Sequence, residues 1–150
     1  MCGIVGGVTN KDITALLLEG LNRLEYRGYD SSGLTVLSKN NTFDRARSVG
    51  KVKNLEDNLK AREQKISGNI GIAHTRWATH GEPTIDNAHP HISMNSISLV
   101  HNGIIENYID LKNNQLNKGY SFSSETDSEV IAHAIDFAMK SCNTLISSVQ

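Results

Sequence analysis

Two cysteines, Cys2 and Cys142, are too few to build a disulfide framework. The start, Met-Cys-Gly-Ile-Val-Gly-Gly-Val, lacks the basic stretch of a secretory signal, and Thr9, Asn10 and Lys11 cut its apolar run short. Both thiols are therefore expected reduced, in the cytoplasm. No apolar run approaches the ~20 residues that a membrane helix requires. Charge of either sign is not in excess: the net value of -1 leaves no broad positive field for nucleic acid or anionic lipid. The densest basic group, Asp44-Arg45-Ala46-Arg47, reads as an exposed strand edge. Repeats, low-complexity tracts and linkers are also missing. What remains is one domain of 150 residues with 38% apolar and 21% charged residues, close to the globular average.

Hydrophobic periodicity predicts the elements. Gly3 to Val8 reads as a short apolar strand. A helix capped by Asp12 follows, with Ile13, Leu16, Leu17, Leu21 and Leu24 on one face and Gly28 as a left-handed stop. A turn-rich loop, Tyr26 to Gly33, leads into a strand at Leu34 to Leu37. Asn40-Asn41 is the turn before a strand at Phe43 to Val49, and Val52 to Gln64 is a surface helix. Strands are expected at Asn69 to His74 and Ile97 to Val100, and a helix at Tyr108 to Leu116 with Gly119 as its stop. Thr126-Asp127-Ser128-Glu129 reads as a capping box, ahead of a helix burying Val130, Ile131, Ala134, Phe137 and Ala138. Thr144 to Gln150 looks like a further capped helix that breaks off, as in a piece of a longer domain. Strands early and helices late, without βαβ alternation, predict an α+β sandwich.

Three groups of residues offer chemistry. Small residues at position 2 permit removal of Met1, which would give Cys2 a thiol and a free α-amine on one residue. A free amine titrates at ~7.7–8.0 and a free thiol at ~8.5, so the amine is a competent base near neutral pH. Taken alone, Cys2 is equally a small apolar residue at a chain start. Asn102-Gly103 pairs a side-chain NH₂ with a backbone N–H, the two donors an oxyanion needs, yet Asn-Gly is also the commonest hairpin turn. Arg76, at the end of an apolar strand, presents a fork for a carboxylate, and Asp127 presents a partner for an ammonium. Asp127 is also what the first turn of any capped helix favours. The histidines His74, His80, His89, His91 and His101, with Cys2, offer a zinc reading, but no spacing matches a known ligand pattern and no metal is expected. His133 is read as a partner of core or solvent.

Together these stretches resemble the class II glutamine amidotransferases. The resemblance is carried by Met1-Cys2-Gly3-Ile4-Val5-Gly6, Leu24 to Ser31, His74 to Pro83, Asn87 to His91, His101 to Asn107 and Ser124 to Asp127, in order along the chain. Glu-Tyr-Arg-Gly-Tyr-Asp and Arg-Trp-Ala-Thr-His-Gly point to the hexosamine branch of that family. The resemblance implies a four-layer αββα sandwich of the N-terminal-nucleophile hydrolase type, incomplete at its C-terminus. It implies Cys2 as nucleophile, Asn102 and Gly103 as oxyanion hole, Arg76 on the substrate carboxylate and Asp127 on its amino group. Trp77, Thr79 and His80 would line the glutamine pocket and Arg27 would support the loop around the nucleophile. Residues 1–150 would be the N-terminal part of a glutaminase domain. The sugar-isomerase domains that bind fructose 6-phosphate and accept the ammonia are not present. No cofactor is implied, and a homo-oligomer is expected at full length. An inert piece, or a glutaminase serving another acceptor, are the alternatives.

Overall fold

The computed structural model describes residues 2–142 and 144–149. Strand β1 (Gly3–Val8) leads into helix α1 (Thr14–Leu24), then β2 (Ser31–Leu37), β3 (Phe43–Val49), helix α2 (Val52–Ala61) and β4 (Ile70–Arg76). A second group follows: β5 (His91–Ser93), β6 (Ile97–Leu99), α3 (Tyr108–Asn117), α4 (Glu129–Met139) and α5 (Leu145–Val149). The first sheet is antiparallel in the order β1-β4-β2-β3, and the second is the hairpin β5-β6. Helices α1 and α2 cover the first sheet while α4 covers the second, with α3 packed on α4, giving four layers.

The outer core is where pattern reading works best. Ile13, Leu17 and Leu21 of α1 pack with Leu34, Val36, Ala73, Val52 and Leu55, all fully buried. Each large side chain removed from water there contributes about 1.5–3 kcal/mol. Asp12 does serve the helix start, accepting the Thr14 N–H at 3.1 Å and the Thr14 hydroxyl at 2.8 Å. Leu16, expected on the buried face, is 51% exposed, because the apolar stripe follows Ile13, Leu17 and Leu21 only. Gly28 has φ +70 but closes a 3₁₀ turn over Glu25–Arg27, since α1 has already ended at Leu24.

Strand alternation explains how the inner face becomes polar. Ala73 belongs to the core beneath the helices, so Ile72, His74 and Arg76 of β4 turn to the opposite face, toward the second sheet. On β2, Leu34 and Val36 face the helices, and Gly33 faces inward. A Cβ on Gly33 would lie 2.2 Å from the His89 carbonyl oxygen, so only glycine admits that backbone. The segment so admitted contains the cis His89-Pro90 peptide bond. Arg45 and Arg47 of β3 grip it from the other side. Arg45 Nη1 donates to Pro90 O at 3.2 Å, and Arg47 Nη1 donates to Asp86 O at 2.8 Å and Ala88 O at 3.1 Å. The expectation of an exposed edge is therefore half right. β3 is an edge strand, but its arginines fold inward to satisfy carbonyls.

Three further expectations are corrected. The strand expected at Ile97 to Val100 is β6, but it pairs with an unexpected strand, β5; the two are three residues each, turning through Met94 (φ +48) and Asn95 (φ +54). The capping box does not form. Thr126 Oγ1 bonds His91 Nε2 at 3.0 Å, while the Glu129 carboxylate takes the backbone N–H groups of Ser123 (3.0 Å) and Ser124 (2.8 Å) and both serine hydroxyls. Finally, α4 buries Glu129, Val130, Ala132, His133, Ile135 and Asp136, leaving Ala134 and Phe137 exposed. Its inward polar groups are paired: His133 Nδ1 with Ser93 Oγ at 2.8 Å, and Asp136 Oδ2 with the Tyr120 hydroxyl at 2.6 Å. Helix α5 is capped as expected, with Thr144 Oγ1 accepting the Ser147 N–H at 3.1 Å. Gln150 and Met1 lie outside the described residues.

Candidate active site

At one end of the two facing sheets a cavity of about 340 Å³ is lined by every residue to which the resemblance assigns a role: Cys2, Arg27, Arg76, Trp77, Thr79, His80, Asn102, Gly103 and Asp127. They come from the chain start, the turn after α1, the end of β4 and the loop beyond it, the loop after β6 and the loop before α4. His74, His89, His101, Ile104, Thr126 and Ser128 complete the wall.

Cys2 is half-buried, and its Sγ accepts the Trp77 N–H at 3.2 Å. Asp30 sets that turn. Its backbone N–H donates to Arg76 O at 2.8 Å, and its Oδ2 receives the Ala78 N–H. Arg27 Nη1 donates to Cys2 O at 3.4 Å, next to the thiol. Arg27 is expected to support the loop around Cys2, and its contact is to the backbone of Cys2 itself.

Arg76 is 4% exposed and Asp127 3% exposed. The Arg76 guanidinium gathers its own following loop, donating to His80 O, to Gly81 O at 3.2 Å and to Glu82 O at 3.4 Å, with Asp30 Oδ1 3.9 Å away. Burial lowers its pKa, against the pull of Asp30, Cys2 and Asp127. Asp127 precedes α4 and receives the Ile105 N–H at 2.7 Å, so it ties the loop carrying Asn102 and Gly103 to the helix start. That position inside the cavity goes beyond a helix-dipole role. Asn87 laces the remaining pieces: its Nδ2 donates to Glu82 O at 2.9 Å and its Oδ1 receives the Glu125 N–H at 2.8 Å.

Asn102-Gly103 is not a hairpin turn, because β6 has ended at Leu99 and the chain runs on to α3. Asn102 Oδ1 lies 2.7 Å from His74 Nε2. Gly103 sits against His101, where an added Cβ would come within 2.7 Å of the ring Nε2. His101 Nδ1 bonds Ser128 Oγ at 3.1 Å. Three of the histidines read as zinc candidates pack ring to ring: His74 stacks on His89 at 4.4 Å, and His91 meets His89 edge-on at 4.5 Å. Among the described residues no three His, Cys, Asp or Glu converge as a metal site. Asp30, His74, Asn87 and Ser128 are the residues to which motif reading assigns no part in the pocket. Asp30, His74 and Asn87 each carry a signal, since they lie in Glu-Tyr-Arg-Gly-Tyr-Asp, His74 to Pro83 and Asn87 to His91.

Burial keeps this row of rings uncharged. It pushes the His74 pKa down to about 4 and lowers those of His89, His91 and His133 below the ordinary 6.5. Each ring therefore binds its proton more readily unfolded than folded. Stability is expected to be flat above pH 6.5 and to fall as pH drops toward 4, on the order of 3 kcal/mol from His74 alone. Urea midpoints across pH 8 to 4 test this; a midpoint unchanged between 6.5 and 4.5 would contradict it.

With the site described, its class follows. The chain belongs to the glutamine amidotransferase domain family, whose model matches residues 60–146. It is 53% identical over 150 residues to a Legionella pneumophila (strain Paris) protein named glutamine–fructose-6-phosphate aminotransferase (isomerizing), covering 100% of this chain and 24% of that one. A protein of the same name from Acinetobacter baylyi is 54% identical over 150 residues, with the same coverage. The chain thus spans 24% of the length of these curated relatives. Among solved structures, glutamine phosphoribosylpyrophosphate amidotransferase from B. subtilis, complexed with ADP and GMP, matches with a TM-score of 0.75 and 26% identity. That match covers 99% of this chain and 31% of the other. The αββα layering is accordingly that of the N-terminal-nucleophile amidotransferases. No described helix is long and apolar enough to cross a membrane.

Proposed function

We propose that this chain forms the N-terminal part of a glutaminase domain that hydrolyses the side-chain amide of glutamine. The observation that carries the reading is the shared cavity. A buried cation, Arg76, and a buried carboxylate, Asp127, line the same small space as a thiol and an Asn-Gly donor pair. A free α-amino acid has the complementary carboxylate and ammonium, and its side-chain carbonyl would extend toward Cys2.

In this mechanism Met1 is removed, and the Cys2 α-amine takes the thiol proton as sulfur bonds to the amide carbon. Asn102 Nδ2 and the Gly103 N–H hold the oxyanion. The amine then passes its proton to the departing nitrogen, the C–N bond breaks and ammonia leaves a γ-glutamyl thioester. Water, deprotonated by the same amine, displaces the sulfur and yields glutamate. Trp77, Thr79 and His80 wall the substrate, and Arg27 holds the Cys2 carbonyl. The balance is that of hydrolysis, so no cofactor enters. Identity to the Legionella and Acinetobacter proteins supports a sugar phosphate, fructose 6-phosphate, as the ammonia acceptor, bound by isomerase domains elsewhere in the protein as encoded. A reduced thiol suits the cytoplasm; assembly into a homo-oligomer rests on the resemblance alone.

A glutamine-like diazoketone tests the site directly. Mass spectrometry of the treated protein is expected to show one adduct, on Cys2 as the first residue, with glutamate protecting against it. Labelling on Cys142 alone, or on a chain that still begins with Met1, would remove the assignment.

A further inference from the structure

The inner face of β4 delivers a residue whose bond to the oxyanion-hole amide has a chemical consequence. His74 is 1% exposed, its ring is stacked on His89 at 4.4 Å with planes 26° apart, and its Nε2 lies 2.7 Å from Asn102 Oδ1. An amide oxygen only accepts, so with this amide orientation Nε2 carries the proton. The two ends of an amide point apart. Holding Oδ1 against His74 therefore turns Nδ2 away from it, free to serve as the donor. An Asn side chain left to itself has two flip states, and the wrong one would aim a carbonyl oxygen at the developing oxyanion. Here the flipped state would either set an NH₂ against the Nε2–H or force the proton onto Nδ1, which is buried with no hydrogen-bond partner to accept it.

Resting on the functional reading above, we propose that His74 is a positioning residue, which locks the Asn102 amide with its NH₂ toward the substrate through an Nε2–H tautomer. The ring cannot easily turn away. His89 stacks on it, and the His101 N–H donates to His89 Nδ1 at 3.4 Å, so the row is tied to the loop that carries Asn102. Burial keeps His74 uncharged at working pH. Its service is then orientation rather than charge, and its loss should be felt by the transition state more than by bound glutamine.

Two variants of the protein as encoded test this. His74→Leu removes the donor, while His74→Gln returns an N–H at the same reach. For His74→Leu, kcat for glutamate release is expected to fall roughly ten- to a hundredfold, with KM for glutamine and inhibition by glutamate changed less than about twofold. An aldehyde analogue of glutamine, which adds to the thiol and places its oxyanion in the hole, should lose affinity in step with kcat. His74→Gln should recover most of both losses. A leucine variant with undiminished kcat, one that loses glutamate affinity equally, or a glutamine variant no better than leucine would overturn the proposal. Should His74→Leu not fold, nitrogen NMR of the unmutated protein decides: Nε2–H with a bare Nδ1 supports the lock, and Nδ1–H overturns it. If the unmutated protein releases no glutamate, the functional reading itself falls and this one with it, an outcome separable from an active enzyme indifferent to residue 74.

Discussion

Cys2→Ala is expected to abolish glutamine hydrolysis, lowering turnover by at least roughly a thousandfold, while leaving the melting temperature within a few degrees. The chemical loss is total because no other thiol lines the cavity: Cys142 lies outside it, its Sγ directed at the Ser147 carbonyl. The structural loss is small. The Cys2 sulfur is half-buried, accepting the Trp77 N–H at 3.2 Å and donating weakly to Trp77 O at 3.8 Å, whereas the Trp77–Ala78 turn is held independently by Asp30. Glutamate release and thermal melting of the same preparation measure the two effects, with Cys142→Ala as the unaffected comparison. Residual turnover above a few per cent in a correctly folded Cys2→Ala protein would mean that another group attacks the amide. A large drop in melting temperature would mean that Cys2 has a structural task its contacts do not reveal.

The parts of the fold legible in the sequence are those governed by one local rule. β1 and β3 are bounded correctly because alternation and flanking turns suffice there; Asp12 marks the start of α1, but its end at Leu24 falls short of the expected stop at Gly28. The face of α4 was misread for a physical reason. Amphipathic reading sends apolar residues inward, yet Glu129, His133 and Asp136 are buried because Ser123, Ser124, Ser93, Ser96 and Tyr120 satisfy them from other segments. Burial alone would raise the Glu129 pKa, but the hydrogen bonds donated by Ser123 and Ser124 hold it below the ordinary value. Such pairings join residues far apart in the chain and leave no periodic trace. β5 is too short to alternate and follows Pro90, which local rules read as loop.

The site divides along the same line. Residues whose type announces their chemistry, a thiol at position 2, an Asn-Gly pair, a lone Arg at a strand end, were named from the sequence, and all of them line the cavity. Those that act by holding others were missed, because a histidine or asparagine acquires such a role only from what it touches. Asn87 is the clearest case. Nothing in Asn-Ala-His-Pro-His says that its amide joins Glu82 to Glu125, which brings together the loops after β4 and before α4.

Arg76 shows how the two kinds of role combine in one side chain, and Arg76→Lys should separate them. The guanidinium offers five N–H donors in a plane. Carbonyl oxygens of His80, Gly81 and Glu82 engage part of that set and fold the loop over the pocket, and the fork retains donor capacity for a substrate carboxylate. A lysine ammonium carries the same charge as a single point on a different reach, so it cannot both gather three carbonyls and clamp a carboxylate. The expected result is a rise in glutamine KM of roughly a hundredfold or more, with a smaller fall in kcat, since Cys2, Asn102 and Gly103 keep their places. Alkylation of Cys2 by a small reagent without an amino-acid handle should proceed at the unmutated rate, whereas labelling by the diazoketone slows in proportion to the KM change. If both reagents slow together, Arg76 acts through the thiol's surroundings, by way of Asp30 and the Trp77 turn, and its role in carboxylate binding would have to be given up. If neither slows, the buried charge serves only to fold the loop, and the cavity's cation for an amino-acid carboxylate must be sought in Arg27, the other guanidinium that reaches it.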